Sequence, residues 1–180
     1  GNDAKALAAL EGAYNLGMLT ESTELLRLAN YLAFAGIPHR AARVMEKAMK
    51  EGTIESNAAN YKTLANYWHQ AKELDPAIDT LAKSYQLAPS AELQLKMARM
   101  MIQSKRYKDL VALAAKPAAN ASGEQRADLK FLTGVAYFEQ QKPKEALSAF
   151  TQAAQNGNVS GRASPWISFL KEQQGGAVTQ

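Results

Sequence analysis

Histidines are the first residues in this sequence that could do metal or acid–base chemistry. The chain of 180 residues has two, His39 and His69, one beside a turn sequence and one near the end of a predicted helix. A zinc site needs three or four converging ligands, and the absence of cysteine excludes thiolate sites and disulfides. We therefore predict that both histidines are polar surface or groove residues, and that the protein has no metal and no other cofactor.

Paired carboxylates are the second candidate for chemistry. Glu124 and Asp128 lie four positions apart on a predicted helix, where they resemble a general acid and base. The alternative is a solvated first helical turn, in which the helix dipole favours negative charge, and we predict this one. A Gly-rich phosphate loop, a G-x-S-x-G turn and an H-E-x-x-H pair are all absent from the sequence. The sequence thus predicts that the protein is not an enzyme.

The charge pattern is mixed. There are 21 basic and 17 acidic residues, giving a formal net charge of +4. The tightest basic group, Lys105, Arg106 and Lys108, favours a solvated turn over a nucleic-acid or anionic-lipid patch. No apolar run approaches the roughly 20 residues of a membrane span. We expect no nucleic-acid partner and no membrane span in these residues, and Gly1 is compatible with a region excised from a longer protein.

Small residues recur at a nearly constant spacing. A first landmark is followed twelve positions later by a second one, and three positions after the first stands a large apolar residue. The first landmarks, separated by 36, 33 and 36 positions, are Ala29, Ala65, Ala98 and Gly134; the second ones are Ala41, Ala77, Leu110 and Ala146; the large residues are Leu32, Trp68, Met101 and Tyr137. Helices pack with axes about 8–10 Å apart only where a small side chain admits a large one. We therefore interpret Ala65 and Ala77 as holes, with Trp68 and Leu81 among the knobs.

Short turns separate the helical patterns within each repeat. They read "AGIPH", "KELDP", "SKRYK" and "QQKPK". Asp75 before Pro76 has the form of a helix start, because Asp can cap exposed amides and proline lacks only a donor that would be unpaired there. The third repeat departs from the pattern at Leu110, and Pro117 should cut its second helix short. The repeating unit is predicted to be helix, turn, helix.

Period and residue types together resemble the tetratricopeptide repeat (TPR) family. The second unit carries the signature most fully, at Tyr61, Leu64, Ala65, Trp68, Ala77, Leu81, Leu87 and Pro89. The resemblance implies an all-α, TPR-type helix-turn-helix solenoid of about four repeats with flanking N-terminal and C-terminal helices. The expected divisions are a flanking helix in residues 1–21, four units in residues 22–159 (22–55, 56–90, 91–121 and 122–159), and a capping helix with a frayed tail in residues 160–180.

The C-terminal sequence "SPWISFLKEQQ" is predicted to be the capping helix. Ser164 would be its cap and Pro165 would lie in its first turn. The apolar residues expected to be buried are Trp166, Ile167, Phe169 and Leu170. A terminal repeat exposes an apolar face unless another element covers it, which is the role we assign to this helix.

A binding groove is what the TPR resemblance implies for function, lined by the first helix of each unit. The implied protein-binding residues are Asn30, Phe34, Lys62, Asn66, His69, Arg99 and Phe138. Asn30 and Asn66 occupy equivalent positions, and a primary amide there can donate to and accept from the backbone of an extended peptide. The alternative is that these polar residues only keep an exposed face soluble. Either way, the expected activity is that of a protein–protein interaction module.

Three segments, "MLTES", "EKAMKEGTIE" and "NYKTLANYW", carry a narrower resemblance. Over about residues 10–170 the sequence is similar to bacterial TPR proteins described as components of TonB energy-transduction systems. This implies a periplasmic, membrane-associated protein that works beside TonB, ExbB or ExbD in the uptake of iron chelates. The alternative is a scaffold or adaptor in envelope assembly, such as pilus or lipoprotein machinery. Composition and spacing do not separate the two, because the fold does not dictate partners.

Overall fold

All regular structure in the part of the chain that is described is α-helical. The computed structural model describes residues 2–117 and 120–176. Its ten helices are α1 (Asn2–Asn15), α2 (Ser22–Phe34), α3 (Pro38–Lys50), α4 (Ala58–Gln70), α5 (Leu74–Leu87), α6 (Ala91–Gln103), α7 (Tyr107–Ala114), α8 (Gly123–Glu139), α9 (Pro143–Ala153) and α10 (Gly157–Gly176). The predicted all-α class is confirmed.

The chain divides into two compact units, Gly1–Ala88 and Pro89–Gln180. The first unit contains α1 to α5, with α2 packed on α3 and α4 on α5. The second contains α6 to α10, with α6 packed on α7, α8 on α9, and α10 against both α8 and α9. The residue boundaries given above for the repeats stay predictions, but each of the four predicted units contains one of these helix pairs.

The four turns inside the helix pairs share one backbone geometry. In each, a residue with positive φ follows the first helix, and the next N–H donates to a carbonyl five residues back. The positive-φ residues are Gly36 (79°), Lys72 (65°), Lys105 (59°) and Gln141 (59°). This is a Schellman closure, which satisfies helix-terminal carbonyls. The second helix of every pair therefore begins nine residues after the first small landmark.

This geometry overturns the prediction that Asp75 caps a helix. The Glu73 N–H donates to the Trp68 carbonyl at 3.0 Å, which ends α4 and leaves Glu73 at the N-cap of α5. Asp75 is consequently the second residue of α5, and Pro76 still lies in the first turn. The local Asp-Pro pattern was wrong because the closure of the preceding helix sets where the next one starts.

The small landmarks are packing residues, as predicted. Relative exposure is 1% for Ala65 and 0% for Ala77. At Gly134 even a methyl group would be too large, because an added Cβ would lie 2.7 Å from two ring carbons of Phe150. Phe150 itself is fully buried. Close approach of α8 and α9 therefore requires glycine at this position.

The irregular third pair contains a buried polar residue. As Pro117 predicted, α7 is short, with eight residues ending at Ala114. Gln94 on α6 is fully buried, and its Nε2 donates to the carbonyls of Leu113 at 2.9 Å and Lys116 at 3.0 Å. The Leu113 carbonyl also accepts a bond from the Lys116 N–H at 3.1 Å. Gln94 thus links α6 to the backbone at the end of the short α7.

Helix α10 begins earlier than predicted, and Ser164 does not cap it. The helix begins at Gly157 and continues through Pro165, while the Ser164 hydroxyl donates to the Ser160 carbonyl at 2.8 Å. The reason is tertiary: Val159, Ala163 and Leu170 are fully buried in one cluster with Phe150 and Ala153.

The side-chain predictions for this helix hold only in part. Leu170 is fully buried and Trp166 and Ile167 are half-buried, but Phe169 is 43% exposed and its predicted burial is wrong. Residues 177–180 of the predicted frayed tail lie outside the described residues. Within the described ranges, none of the helices combines the length and apolar character that crossing a bilayer requires.

Candidate functional site

A stripe of α8 side chains forms the centre of the candidate site. Asp128, Phe131, Val135 and Phe138 are spaced by three or four residues and so share one side of the helix. Helices α6 and α10 both pack against α8. Their side chains meet this stripe at two places, one ionic and one aromatic.

The ionic part joins three helices through a single carboxylate. Arg99 Nη2 on α6 lies 3.3 Å from Asp128 Oδ2, and Arg162 Nη2 on α10 pairs with Asp128 Oδ1. The Arg162 guanidinium also lies over the Phe131 ring, 5.0 Å from its centroid. The Asp128 side chain is 17% exposed, against 58% for Arg99 and 53% for Arg162. The carboxylate therefore orders two arginines that remain open to solvent.

This arrangement corrects the interpretation of Asp128 as part of a solvated first turn. Glu124 does lie exposed in the first turn of α8. Asp128, one turn further on, is mostly buried between two arginines from other helices. The local charge pattern could not identify those partners, because they are 29 and 34 residues away in sequence.

The aromatic part lies where α8 and α10 meet. The Phe138 ring makes edge contacts with Trp166 and Phe169, at centroid separations of 5.0 and 6.1 Å. Trp166 stacks in turn on buried Phe150, at 5.2 Å and an interplanar angle of 16°. With Pro165 these rings line a shallow depression of about 380 Å³. Such a surface can take up an apolar side chain or a proline ring.

We call the two parts together the arginine–aromatic face, defined by Arg99, Asp128, Phe138, Arg162, Trp166 and Phe169. Arg99 and Phe138 were predicted as groove residues from the sequence. The other four were not. The sequence predicts that Trp166 and Phe169 are buried, although the spacing of Arg162, Trp166 and Phe169 by four and three residues indicates a second stripe along α10.

Asn30 in the first unit is already hydrogen-bonded within the protein. Its Oδ1 accepts a bond from the Tyr67 hydroxyl at 2.6 Å, which links α2 to α4. Tyr67 is 5% exposed, and burial raises the pKa of its phenol above the ordinary value of 10.0. The Asn30 amide oxygen therefore holds a neighbouring helix, and its role in peptide binding stays a prediction.

The remaining predicted residues of the first unit lie on α2 and α4. Phe34, near the end of α2, is 85% exposed. Lys62, Asn66 and His69 follow one another by four and three residues along one side of α4; each is half-buried and interacts within the protein. The other histidine, His39, packs edge-on against Trp68 at 5.4 Å.

Comparison with solved structures identifies the fold. The C-terminal part of a TPR repeat-containing protein from Cytophaga hutchinsonii superposes with a TM-score of 0.64 at 11% identity, over 99% of this chain and 69% of that one. The chain has a TPR-type fold. A MamA structure gives a TM-score of 0.59 at 17% identity, covering 90% of this chain and 92% of MamA. MamA from Desulfovibrio magneticus RS-1 gives 0.52 at 12% identity, covering 83% and 93%.

At these sequence identities the comparisons establish the fold alone. No family model matches the sequence, and no curated protein matches it either. Among the described residues, no group of three or more His, Cys, Asp or Glu side chains is placed to hold a metal ion.

Proposed function

We propose that this TPR-type chain is a protein–protein interaction module that binds an extended partner segment on its arginine–aromatic face. The observation that carries the proposal is that one side of α8 carries both features, two ordered and exposed arginines held by Asp128 and an aromatic depression shared with α10 at Phe138. Arginine and aromatic residues are enriched at protein interfaces and dominate binding hot spots. A partner would place an apolar anchor in the depression and accept hydrogen bonds from the arginines.

The proposed partner is a component of a TonB system. In this proposal the chain is an accessory component of iron-chelate transport, it works in the periplasm, and it contacts TonB, ExbB or ExbD. The support is the similarity of "MLTES", "EKAMKEGTIE" and "NYKTLANYW" to TPR proteins described as components of such systems. Placement in the periplasm is tested by osmotic-shock fractionation of cells producing the full-length protein, and recovery in the cytosol would contradict it.

The binding surface is tested with a double variant, Arg99→Ala with Phe169→Ala. Both side chains are more than two-fifths exposed, so we expect helical circular dichroism to be unchanged. Truncating a central aromatic or arginine anchor typically costs about 2 kcal/mol, which is roughly 30-fold in Kd. Calorimetric titration with the periplasmic domains of TonB and ExbD should show at least that loss. Leu87→Ala is the matched control, because Leu87 is an exposed apolar residue of the other unit, at 58%.

Three results would change the proposal. Undiminished binding by the folded double variant would move the interface away from the arginine–aromatic face. Equal loss in Leu87→Ala would show that exposed apolar area anywhere supports binding. Absence of binding by the wild type to the TonB and ExbD domains would favour the envelope-assembly scaffold.

A further inference from the structure

The first unit contains a larger depression, whose basic lining has no role in the proposed function. It has a volume of about 770 Å³ and lies among α1, α3, α4 and α5. Five basic side chains and one acidic one line it: Arg40, Arg43, Lys47, Lys50, Lys83 and Glu46. We call this surface the basic pocket. Five cations line this one depression in a chain whose net charge is +4, and three of them pair with carboxylates, those of Glu11, Glu46 and Glu51.

Two of the lysines are held over tyrosine rings at the pocket. The Lys47 ammonium lies 5.8 Å from the centroid of Tyr14, and that of Lys83 lies 5.5 Å from the centroid of Tyr61. Both tyrosines also line the pocket. Cation–π contacts of this kind limit side-chain freedom. The Lys47 ammonium also forms an exposed ion pair with Glu51 at 3.9 Å. The positive groups are thus partly ordered before any ligand arrives.

Other cations of the pocket are only partly neutralised. Arg40 pairs with Glu11 at 2.5 Å, and Arg43 pairs with Glu46 at 3.1 Å on the solvent-exposed side of α3. Lys50 makes no ion pair with any residue in the described part of the chain. Exposed pairs contribute little and exchange readily, so an incoming carboxylate can compete for these cations.

The dimensions of the pocket favour an extended ligand. Arg40 and Lys50 are ten residues apart on α3, which is about 15 Å along the helix axis and more than one phosphate group spans. Its floor is apolar, formed by Val44, Met49 and Leu64, each 8% exposed or less. A suitable ligand therefore combines several negative charges with an apolar side chain.

We propose that the basic pocket binds an acidic peptide segment of a partner protein. Carboxylates of the segment would pair with Arg43, Lys50 and Lys83, and an aliphatic side chain would contact the apolar floor. A peptide can place an uncharged residue and its backbone N–H beside Glu46, whereas a nucleic-acid backbone carries a negative charge at every nucleotide. The acidic residue in the lining therefore favours a peptide over a polynucleotide.

The test is a fluorescence-anisotropy titration with a labelled peptide of about eight residues, mostly Glu and Asp around one Leu. Its control peptide replaces every Glu by Gln and every Asp by Asn. We expect the acidic peptide to bind the wild type, and we expect this binding to weaken as salt is added. Its affinity for the triple variant Arg43→Gln, Lys50→Gln, Lys83→Gln should be lower by about tenfold or more. The amide peptide should not bind.

The matched control protein carries Lys108→Gln, Lys142→Gln and Lys144→Gln. These three lysines are exposed in the other unit, so the control loses the same formal charge away from the pocket. We expect its affinity for the acidic peptide to stay within about twofold of the wild type. An equal loss in both triple variants would overturn the proposal, because it would assign the binding to overall charge.

Two further results would also overturn it. One is absence of acidic-peptide binding by the wild type at low salt. The other is tighter binding of an oligothymidylate or of phosphatidylglycerol vesicles that depends on the same three residues, which would assign the pocket to a nucleic acid or a membrane surface. None of these measurements involves the arginine–aromatic face, so this proposal and the proposed function can fail separately.

Discussion

Tyr67 and Asn30 show how one side-chain contact can connect two helices at the residue scale. The Tyr67 hydroxyl on α4 donates to the Asn30 amide oxygen on α2 at 2.6 Å, although the two residues are 37 positions apart in sequence. Asn30 is exposed on its other side, so the bond lies at the edge of the core. We expect it to contribute modestly to stability.

Tyr67→Phe should lower the free energy of unfolding by about 0.5–1.5 kcal/mol near neutral pH, because it removes one hydrogen bond and keeps the ring. Urea denaturation of this variant, of Asn30→Ala and of the double variant would measure the coupling. If the two side chains stabilise the protein through this hydrogen bond, the double variant should lose less unfolding free energy than the two single variants lose in sum. Fully additive losses would show that the two side chains act independently.

The same substitution has a predicted pH dependence. Burial raises the pKa of folded Tyr67 above 10.0, so folding favours the neutral phenol. Its stabilising contribution is complete below pH 10 and is lost as the pH rises through the folded pKa. The stability difference between wild type and Tyr67→Phe should therefore shrink above pH 10. Parallel urea titrations on both sides of that pH test this, and a difference that grows with pH would contradict it.

At the element scale, the contact between α8 and α9 depends on the absence of a side chain. Gly134 faces Phe150, and Phe150 is held between Trp166 at 5.2 Å and Phe131 at 5.5 Å. A ring enclosed in this way cannot move aside without disturbing α10 as well. This contact explains why glycine stands here where the other three repeats have alanine.

Gly134→Ala should destabilise the protein by up to about 2 kcal/mol. Overpacking typically costs about 1–3 kcal/mol, and the better helix propensity of alanine returns about 1 kcal/mol of that at most. Gly161→Ala is the matched control, since Gly161 is also helical and an added Cβ there meets nothing within 4 Å. The control should be neutral or slightly stabilising in urea denaturation. Equal stability of both variants would mean that the Phe150 ring can relocate freely.

The tight pairing of α4 and α5 makes a related prediction for Ala65→Leu. Ala65 is 1% exposed, so the larger side chain has no open space and should cost about 1–3 kcal/mol. Ala59→Leu on the exposed side of the same helix should change stability by less than about 0.5 kcal/mol. Thermal melting followed by circular dichroism compares the two, and wild-type stability of Ala65→Leu would remove Ala65 from its packing role.

At the scale of the whole molecule, the two proposed binding surfaces lie in different units and share no residue. Arg99→Ala with Phe169→Ala should therefore leave acidic-peptide binding within about twofold of the wild type, because neither residue lines the basic pocket and exposed substitutions usually change stability by less than about 0.5 kcal/mol. The triple variant of the basic pocket should likewise retain binding to the TonB or ExbD domain. Anisotropy and calorimetry on both variants test this, and reciprocal loss would show that the two surfaces do not bind independently.

The helices and their turns could be predicted because their signals are local. Apolar periodicity, small landmarks and the short polar turns indicated helix pairs, and the burial of Ala65 and Ala77 confirmed the packing that the spacing predicted. The short length of α7 could also be predicted, because proline at position 117 has no N–H to donate to a helical hydrogen bond. Within the candidate site, only Arg99 and Phe138 were predicted, as groove residues that the TPR resemblance implied.

What the sequence by itself determined is thus the repeating helix pair, because its helix periodicity and turn residues act within a few positions of one another. Only the tertiary structure decided the start of α10, where burial of Val159 and Ala163 overrides a local Ser-Pro start. It also decided that Asp128 meets two arginines and that Phe169 stays exposed. These outcomes depend on which sides of separate helices face each other, and the packing of distant residues sets that orientation.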